Sequence, residues 1–295
     1  MIRLFLAIQE EQLSTELVAK SQLLTRSQIQ GQATITIEKL EEYCPPVDKI
    51  LGNGSTAIIG RVRPGVVLKY PRHSFHVEEQ ILKILGQGAS IIKFLGSSED
   101  PRGLLFAEAN SGNLQEYLDS HNDTIDERLR LKWRTQVTEA IRYLHLKGVI
   151  HSDLRPANCL LHTDGSGILN LYLSDFGGST CSDIDGGHLP DSGFFDPRKP
   201  WESTEQTDIF SLGSVFYTIM TGHWPYKAPG HFKSVDEKVR YEERVDALFS
   251  QGKFPTVEGL AGGVIIYGCW TGRYKDVGAM QIEQMAYSER VCTID

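Results

Sequence analysis

The sequence predicts an α+β fold of two lobes: a small β-rich lobe with one main helix, then a larger, mainly helical lobe. Three observations predict it. Short β-branched runs punctuated by glycine occupy residues 50–70. Val77, Ile81, Leu82, Ile84 and Leu85 then share one face of an amphipathic helix, and from Leu114 onward helical periodicity dominates. The 295 residues are enough for one large domain or two medium lobes. Hydrophobic residues at 40% and charged residues at 23% are ordinary for a packed chain, which excludes a disordered or fibrous one.

Taken in order, residues 1–44 are rich in Gln, Ser, Thr and Leu and read as an N-terminal extension. Leu13, Leu17, Val18 and Leu24 recur at helical spacing there, and 33–37 alternates like a strand. Pro45-Pro46 marks a boundary, so the main domain is expected over 45–295, with its small lobe at about 48–109 and its large lobe at about 110–295. Ile50 to Tyr70 reads as two hairpin-connected strands and a third, with a turn at Arg63-Pro64-Gly65. The helix after them ends near Gly86. Two apolar runs come next, Ile91 to Leu95 and Leu104 to Ala109. In the second lobe, Leu129 to Lys147 is a long helix, Cys159 to Leu161 and Leu169 to Leu173 are strands, and Ile209 to Met220 is a helix behind a polar cap region at 203–207.

Charge and cysteine usage narrow the function. Lys plus Arg number 30 against 38 Asp plus Glu, a net charge of -8, the wrong sign for a broad nucleic-acid-binding face. The five cysteines are scattered with no CxxC pair, as expected of reduced thiols in a cytosolic or nuclear protein. No run approaches the roughly 18 apolar residues of a membrane span, so a soluble intracellular chain is expected.

Chemistry concentrates in three places. Gly52-Asn53-Gly54-Ser55-Thr56-Ala57 lies between two strands, where glycines let backbone N–H groups approach a polyphosphate. Lys69 ends the strand Val66-Val67-Leu68-Lys69, and Glu78 or Glu79 opens the next helix. A buried Lys–Glu pair would hold the ammonium where phosphate oxygens arrive. His151-Ser152-Asp153-Leu154-Arg155-Pro156-Ala157-Asn158 is followed by Leu173-Ser174-Asp175-Phe176-Gly177-Gly178. Two aspartates and an asparagine in loops bordered by apolar strands can supply a base and two oxygen ligands for magnesium. An Asx turn would account for any one of them alone, but not for the set in this order.

With these residues in place the sequence resembles the eukaryotic protein kinases over roughly residues 48–290. Thr207-Asp208-Ile209-Phe210-Ser211-Leu212-Gly213, and Cys269-Trp270 with Arg273, extend the likeness. The resemblance implies the bilobal kinase fold, ATP with Mg2+ as cofactors, and transfer of the γ-phosphoryl group to a protein hydroxyl. It implies that Gly52, Asn53, Gly54 and Ala57 cover the phosphates, that Ile59, Val67 and Leu160 line the nucleotide site, and that Lys69 binds the α- and β-phosphates. Glu78, rather than Glu79, would pair with that lysine; Glu108, Ala109 and Asn110 would form the adenine-binding hinge. Asp153 would accept the substrate proton, Arg155 would stand in for the catalytic-loop lysine, and Asn158 and Asp175 would hold magnesium. Pro156 resembles the Ser/Thr form of the loop, while arginine at 155 also occurs in some tyrosine kinases; serine or threonine is the expected acceptor, with tyrosine the alternative.

Several positions depart from the family pattern. Ala57 replaces a third glycine, Val67 replaces an alanine above adenine, and the small Ala107 before Glu108 predicts open space behind the base. Ser152 replaces the arginine that pairs with an activation-loop phosphate in the family. Asp196-Pro197-Arg198 stands where the family has Ala-Pro-Glu; Arg198 would then face Arg273 unless Glu202 substitutes or the segment packs differently. The acidic, glycine-rich stretch between Asp175 and Pro197 reads as a loop. These departures keep a second reading open, a pseudokinase acting as a nucleotide-binding interaction module. A third, a small-molecule kinase, fits less well, because that type lacks the Asp208 helix and the Cys269-Trp270 pattern.

Overall fold

The computed structural model describes residues 47–54, 56–72 and 74–292. The chain divides into two units, Met1–Cys44 and Pro45–Asp295. The first unit, with the helical and strand patterns read in it, lies outside the described residues, as do Pro45-Pro46 and Ser55.

The small lobe of the second unit is an antiparallel sheet of β1 (Lys49–Asn53), β2 (Ala57–Arg63), β3 (Val66–Pro71), β4 (Phe94–Glu99) and β5 (Arg102–Ala107), in the order β1-β2-β3-β5-β4. Register sets what faces what. Gly52 lies opposite Ile59, Ile59 opposite Lys69, Lys69 opposite Leu104, and Val67 opposite Phe106. Because side chains alternate along a strand, Val67 and Lys69 share one face of β3, and Leu68, 1% exposed, packs into the other. The helix α1 (His76–Leu85) buries Ile81, Leu82, Leu85 and Glu78, and stops at Gly86, whose φ of 63° few other residues adopt.

The apolar run at 91–95 does not all enter the sheet. Ile92 N–H donates to the Leu173 carbonyl (2.9 Å), and Leu173 N–H to the Ser90 carbonyl (2.9 Å), so this stretch binds the second lobe and β4 starts only at Phe94. Likewise β5 ends at Ala107: the Glu108 N–H donates to the Gly65 carbonyl (3.0 Å) in the β2–β3 turn, and the chain leaves the sheet.

The large lobe contains α2 (Leu114–His121), α3 (Glu127–Leu146), α4 (Glu205–Thr221), α5 (Val235–Ser250), α6 (Gly263–Trp270) and α7 (Val277–Cys292). Capping chemistry explains several of their starts: Asn113, Asp126, Thr204 and Ser234 each accept a backbone N–H of the first turn. Helix α4 is buried along almost its whole length, and against it pack α3 and α6. A hairpin of β6 (Cys159–Thr163) and β7 (Leu169–Leu173) lies on α3, pinned where Gln136 accepts the Leu171 N–H at 2.9 Å. The acidic stretch after Asp175 is not a bare loop. It forms a short hairpin of β8 (Thr180–Cys181) and β9 (Ile184–Asp185), with Thr180 bridged to Ile150. Among the described residues, no helix is long and apolar enough to cross a membrane.

Candidate active site

The site forms where β3, α1, the β6–β7 hairpin and the loops at both its ends meet. Lys69 Nζ stands 2.7 Å from Glu78 Oε2 and 2.7 Å from Asp175 Oδ1, so one ammonium joins the sheet, α1 and the loop after β7. Burial works against charge on Lys69, but the two carboxylates outweigh it and raise its pKa. Burial raises the pKa of Glu78 despite that ammonium. Asp175 moves the other way: burial is outweighed by Lys69, with His151 and Arg155 adding to it, and the carboxyl is held below the usual range. Glu79 points elsewhere, to Lys83 and Ser97.

Asp175 has φ of 62° and Ser152 has φ of 66°, a left-handed backbone that non-glycine residues rarely adopt. Such strain persists only where neighbours fix it. Here Phe176, fully buried, packs edge-on to His151 (5.4 Å between rings), and its N–H lies 3.4 Å from Glu78 Oε1. Asp208, buried on α4, accepts the N–H groups of His151 (2.8 Å) and Ser152 (3.1 Å) as well as His145 Nε2 (2.9 Å). One carboxylate from the lobe's central helix thus anchors the loop that leads to Asp153.

Along that loop, Asn158 Nδ2 donates to the Asp153 carbonyl (2.7 Å) and to Asp153 Oδ2 (2.9 Å). Asp153 Oδ1 is buried and accepts no hydrogen bond. Its neighbours are Arg155 Nε at 3.6 Å and His188 Nδ1 at 3.8 Å. Burial raises the Asp153 pKa, the like charge of Asp191 adds to this, and Arg155 and His188 oppose it. An unpaired carboxylate oxygen at the mouth of a loop is suited to take a proton.

The residues fit a nucleoside triphosphate with magnesium. A Cβ built on Gly52 would meet nothing closer than 3.7 Å, and one on Gly54 nothing closer than 3.5 Å, and neither glycine has a positive φ. The strand pairing does not require glycine there; a group lying over the turn would. The Ala109 N–H finds no partner among the described residues, which leaves a donor at the edge of the cleft. Asp175 and Asn158 offer a carboxylate and an amide oxygen, a hard donor set that suits magnesium shared with phosphates. Among the described residues no cluster of three or more His, Cys, Asp or Glu could hold a metal by itself.

Other expected site residues are placed differently. The Asn53 side chain accepts from Arg72 Nη2 (2.6 Å), and Arg72 Nε also donates to the Gly54 carbonyl (3.1 Å), so Arg72 braces the turn, a role its sequence context did not reveal. Glu108 turns its carboxylate to Arg61 and to the Gly65 N–H; Arg61 leads in holding it below the usual carboxylate range. Asn110 is committed to Thr163, donating to its carbonyl (3.0 Å) and accepting its N–H (2.8 Å). Ala57 and Val67 are buried, and Ile59 and Leu160 are partly buried and pack against the hydrophobic core. Phe106 lies opposite Val67 in register, is 6% exposed and packs against Phe94.

The expected clash of Arg198 with Arg273 does not occur. Arg198 folds back onto Asp196 through two bonds (Nε–Oδ1 2.7 Å, Nη2–Oδ2 2.9 Å) and donates to the Trp270 carbonyl (2.7 Å). Arg273 pairs with Glu283 on α7 (3.2 Å) instead. Ser152 meets Ser203 at 2.5 Å between hydroxyls.

A family model, protein kinase domain, matches residues 67–260. Among curated proteins, a leaf rust 10 disease-resistance locus receptor-like protein kinase-like 1.4 of Arabidopsis thaliana is 28% identical over 226 residues, 68% of this chain and 33% of its own. The serine/threonine-protein kinase chk1 of Schizosaccharomyces pombe is 30% identical over 160 residues, 50% of this chain and 31% of its own. The chain spans about a third of the length of these relatives.

Proposed function

We propose, for a chain that belongs to the eukaryotic protein kinase family, transfer of the γ-phosphoryl group of ATP to a serine or threonine hydroxyl of a protein substrate. The observation that carries this reading is the position of Lys69, within 2.7 Å of both Glu78 and Asp175, since phosphoryl transfer needs the lysine–glutamate pair together with an aspartate beside it that can hold magnesium. The burial of Phe176, with its N–H 3.4 Å from Glu78 on α1, supports reading Asp175 as the residue that faces the phosphates.

Each residue has a distinct part. The Gly52–Gly54 turn, where no side chain intrudes, covers the phosphates, the Ala109 N–H meets the base, and Lys69 draws the α- and β-phosphates into line. Magnesium, held by Asp175 and Asn158, would neutralise charge developing on the phosphate oxygens. Asp153 Oδ1 accepts the hydroxyl proton, and Asn158 keeps the other oxygen of that carboxylate fixed. Arg155, beside Asp153, contributes positive charge near the transferred group. The name of the Schizosaccharomyces pombe relative, a serine/threonine-protein kinase, supports serine or threonine as acceptor.

The test is a transfer assay with γ-labelled ATP, magnesium and a general protein acceptor. Transfer that is lost in Lys69→Met and Asp175→Ala supports the reading. Magnesium-dependent stabilisation by ATP with no transfer would instead assign the chain as a nucleotide-binding pseudokinase.

A further inference from the structure

The segment between Asp175 and α4 brings a second carboxylate to the catalytic loop. Arg155 Nη1 donates to Asp191 Oδ2 at 2.5 Å, while its Nε is buried without an acceptor and lies 3.6 Å from Asp153 Oδ1. One guanidinium therefore stands between the proposed base and the segment that follows Asp175. It is bonded to the segment and only near the base.

Asp191 is well placed to hold it. Its carbonyl accepts the N–H groups of Phe194 (2.9 Å) and Phe195 (3.2 Å), and the next residue, Ser192, donates to Asp246 on α5 (2.9 Å). The carboxylate is thus carried on a short turn fixed to the large lobe. Burial alone would favour its neutral form, but Arg155 outweighs this and keeps Asp191 ionised. An arginine side chain has many rotamers, and a carboxylate partner removes most of that freedom while fixing the plane of the fork. Without Asp191, the nearest carboxylate to Arg155 is Asp153, 3.6 Å away. The guanidinium would swing onto Oδ1 and occupy the oxygen that must take the substrate proton.

We propose that Asp191 is a positioning residue for phosphoryl transfer, holding Arg155 toward the transferred group and off the open oxygen of Asp153. This role rests on the kinase reading of the site. It couples the segment after Asp175 to the loop of Asp153 through an arginine–aspartate pair.

A double-mutant cycle tests it, with kcat, the KM for ATP and the melting temperature measured for wild type, Asp191→Asn, Asp191→Glu, Arg155→Ala and the Arg155→Ala/Asp191→Asn pair. Asp191→Asn should lower kcat roughly ten- to hundredfold with the KM for ATP nearly unchanged, and Asp191→Glu should recover much of the loss. In the Arg155→Ala background the same Asn substitution should change kcat less than about twofold. Asp191→Ser, smaller and also neutral, carries the same expectation and covers a folding failure of the Asn variant. A wild-type rate for Asp191→Asn, or the same loss with and without Arg155, would overturn the proposal while leaving the kinase reading intact. A wild type with no transfer at all overturns both.

Discussion

Lys69, Glu78, Asp153, Asn158 and Asp175 are separated by up to about a hundred residues in the chain, and the fold gathers them into two bonded groups, Lys69 with Glu78 and Asp175, and Asn158 with Asp153. Each does something different to charge. Lys69→Met should abolish measurable transfer and also lower the melting temperature, because the buried Glu78 carboxylate is left with only the Phe176 N–H at 3.4 Å. The acid limb of the kcat/KM profile should reflect Asp153. A base must be ionised to act, and its pKa is raised by burial, so activity should fall with decreasing pH before an ordinary aspartate, near about 3.9, would protonate. An acid limb at or below that value, traced by steady-state kinetics across pH, would contradict this assignment. At Arg198, truncation to Ala leaves the buried Asp196 carboxylate with a backbone N–H (3.1 Å) in place of the guanidinium fork, and should cost about 1–3 kcal/mol of unfolding free energy in urea. These residue types were legible in the sequence, and so was the Lys69–Glu78 pair, but the other partners were not. Nothing in Asp-Pro-Arg shows that the arginine folds back two residues onto its own aspartate, and nothing around Val67 shows that Phe106 comes to lie opposite it.

At the level of elements, the segment from Asp175 to Pro197 shows how far composition can mislead. Its glycines and acids read as a loop, yet it is tied down by the Thr180–Ile150 bridge, the Arg155–Asp191 pair and the Ser192–Asp246 bond, while the Ser152–Ser203 contact fixes the catalytic loop beside it. None of these needs a phosphate. Ser179 is itself buried, donating to the His151 carbonyl (3.0 Å). Transfer by the protein should therefore survive exhaustive phosphatase treatment unchanged; a loss of most activity, restored by autophosphorylation, would show that an unassigned phosphate orders the segment. Helices were easier to read, because caps and apolar spacing are local. Their packing was not. Gly213 in α4 lets α6 approach so closely that a Cβ there would lie 2.8 Å from Cys269 Cβ, and Gly213→Val should lower stability by about 1–3 kcal/mol, measured by thermal unfolding. That approach depends on a tertiary contact 56 residues away, the same separation across which Trp270 Nε1 donates to Ser214, and no local pattern encodes it.

For the molecule as a whole, the order of motifs carried most of the information. A glycine turn, a strand lysine, a helix glutamate and two loop aspartates in sequence require a sheet, one helix and a helical lobe to gather them, and that is the architecture observed. The net charge of -8 coexists with a cleft whose cations, Lys69 and Arg155, are each held between two carboxylates. A phosphate arriving there meets fixed rather than mobile positive charge, the arrangement that lowers reorganisation during transfer. Whether this geometry performs phosphoryl transfer through Asp153 is decided by the rate of label transfer from γ-labelled ATP to a basic protein such as histone, compared between wild type and Asp153→Asn at saturating magnesium and ATP. The wild type should transfer label and the variant should be slower by roughly 10²- to 10⁴-fold, with ATP still stabilising both proteins against heat. Equal rates in the two proteins, or ATP binding without any transfer by the wild type, would show that Asp153 is not the base of a phosphoryl transfer.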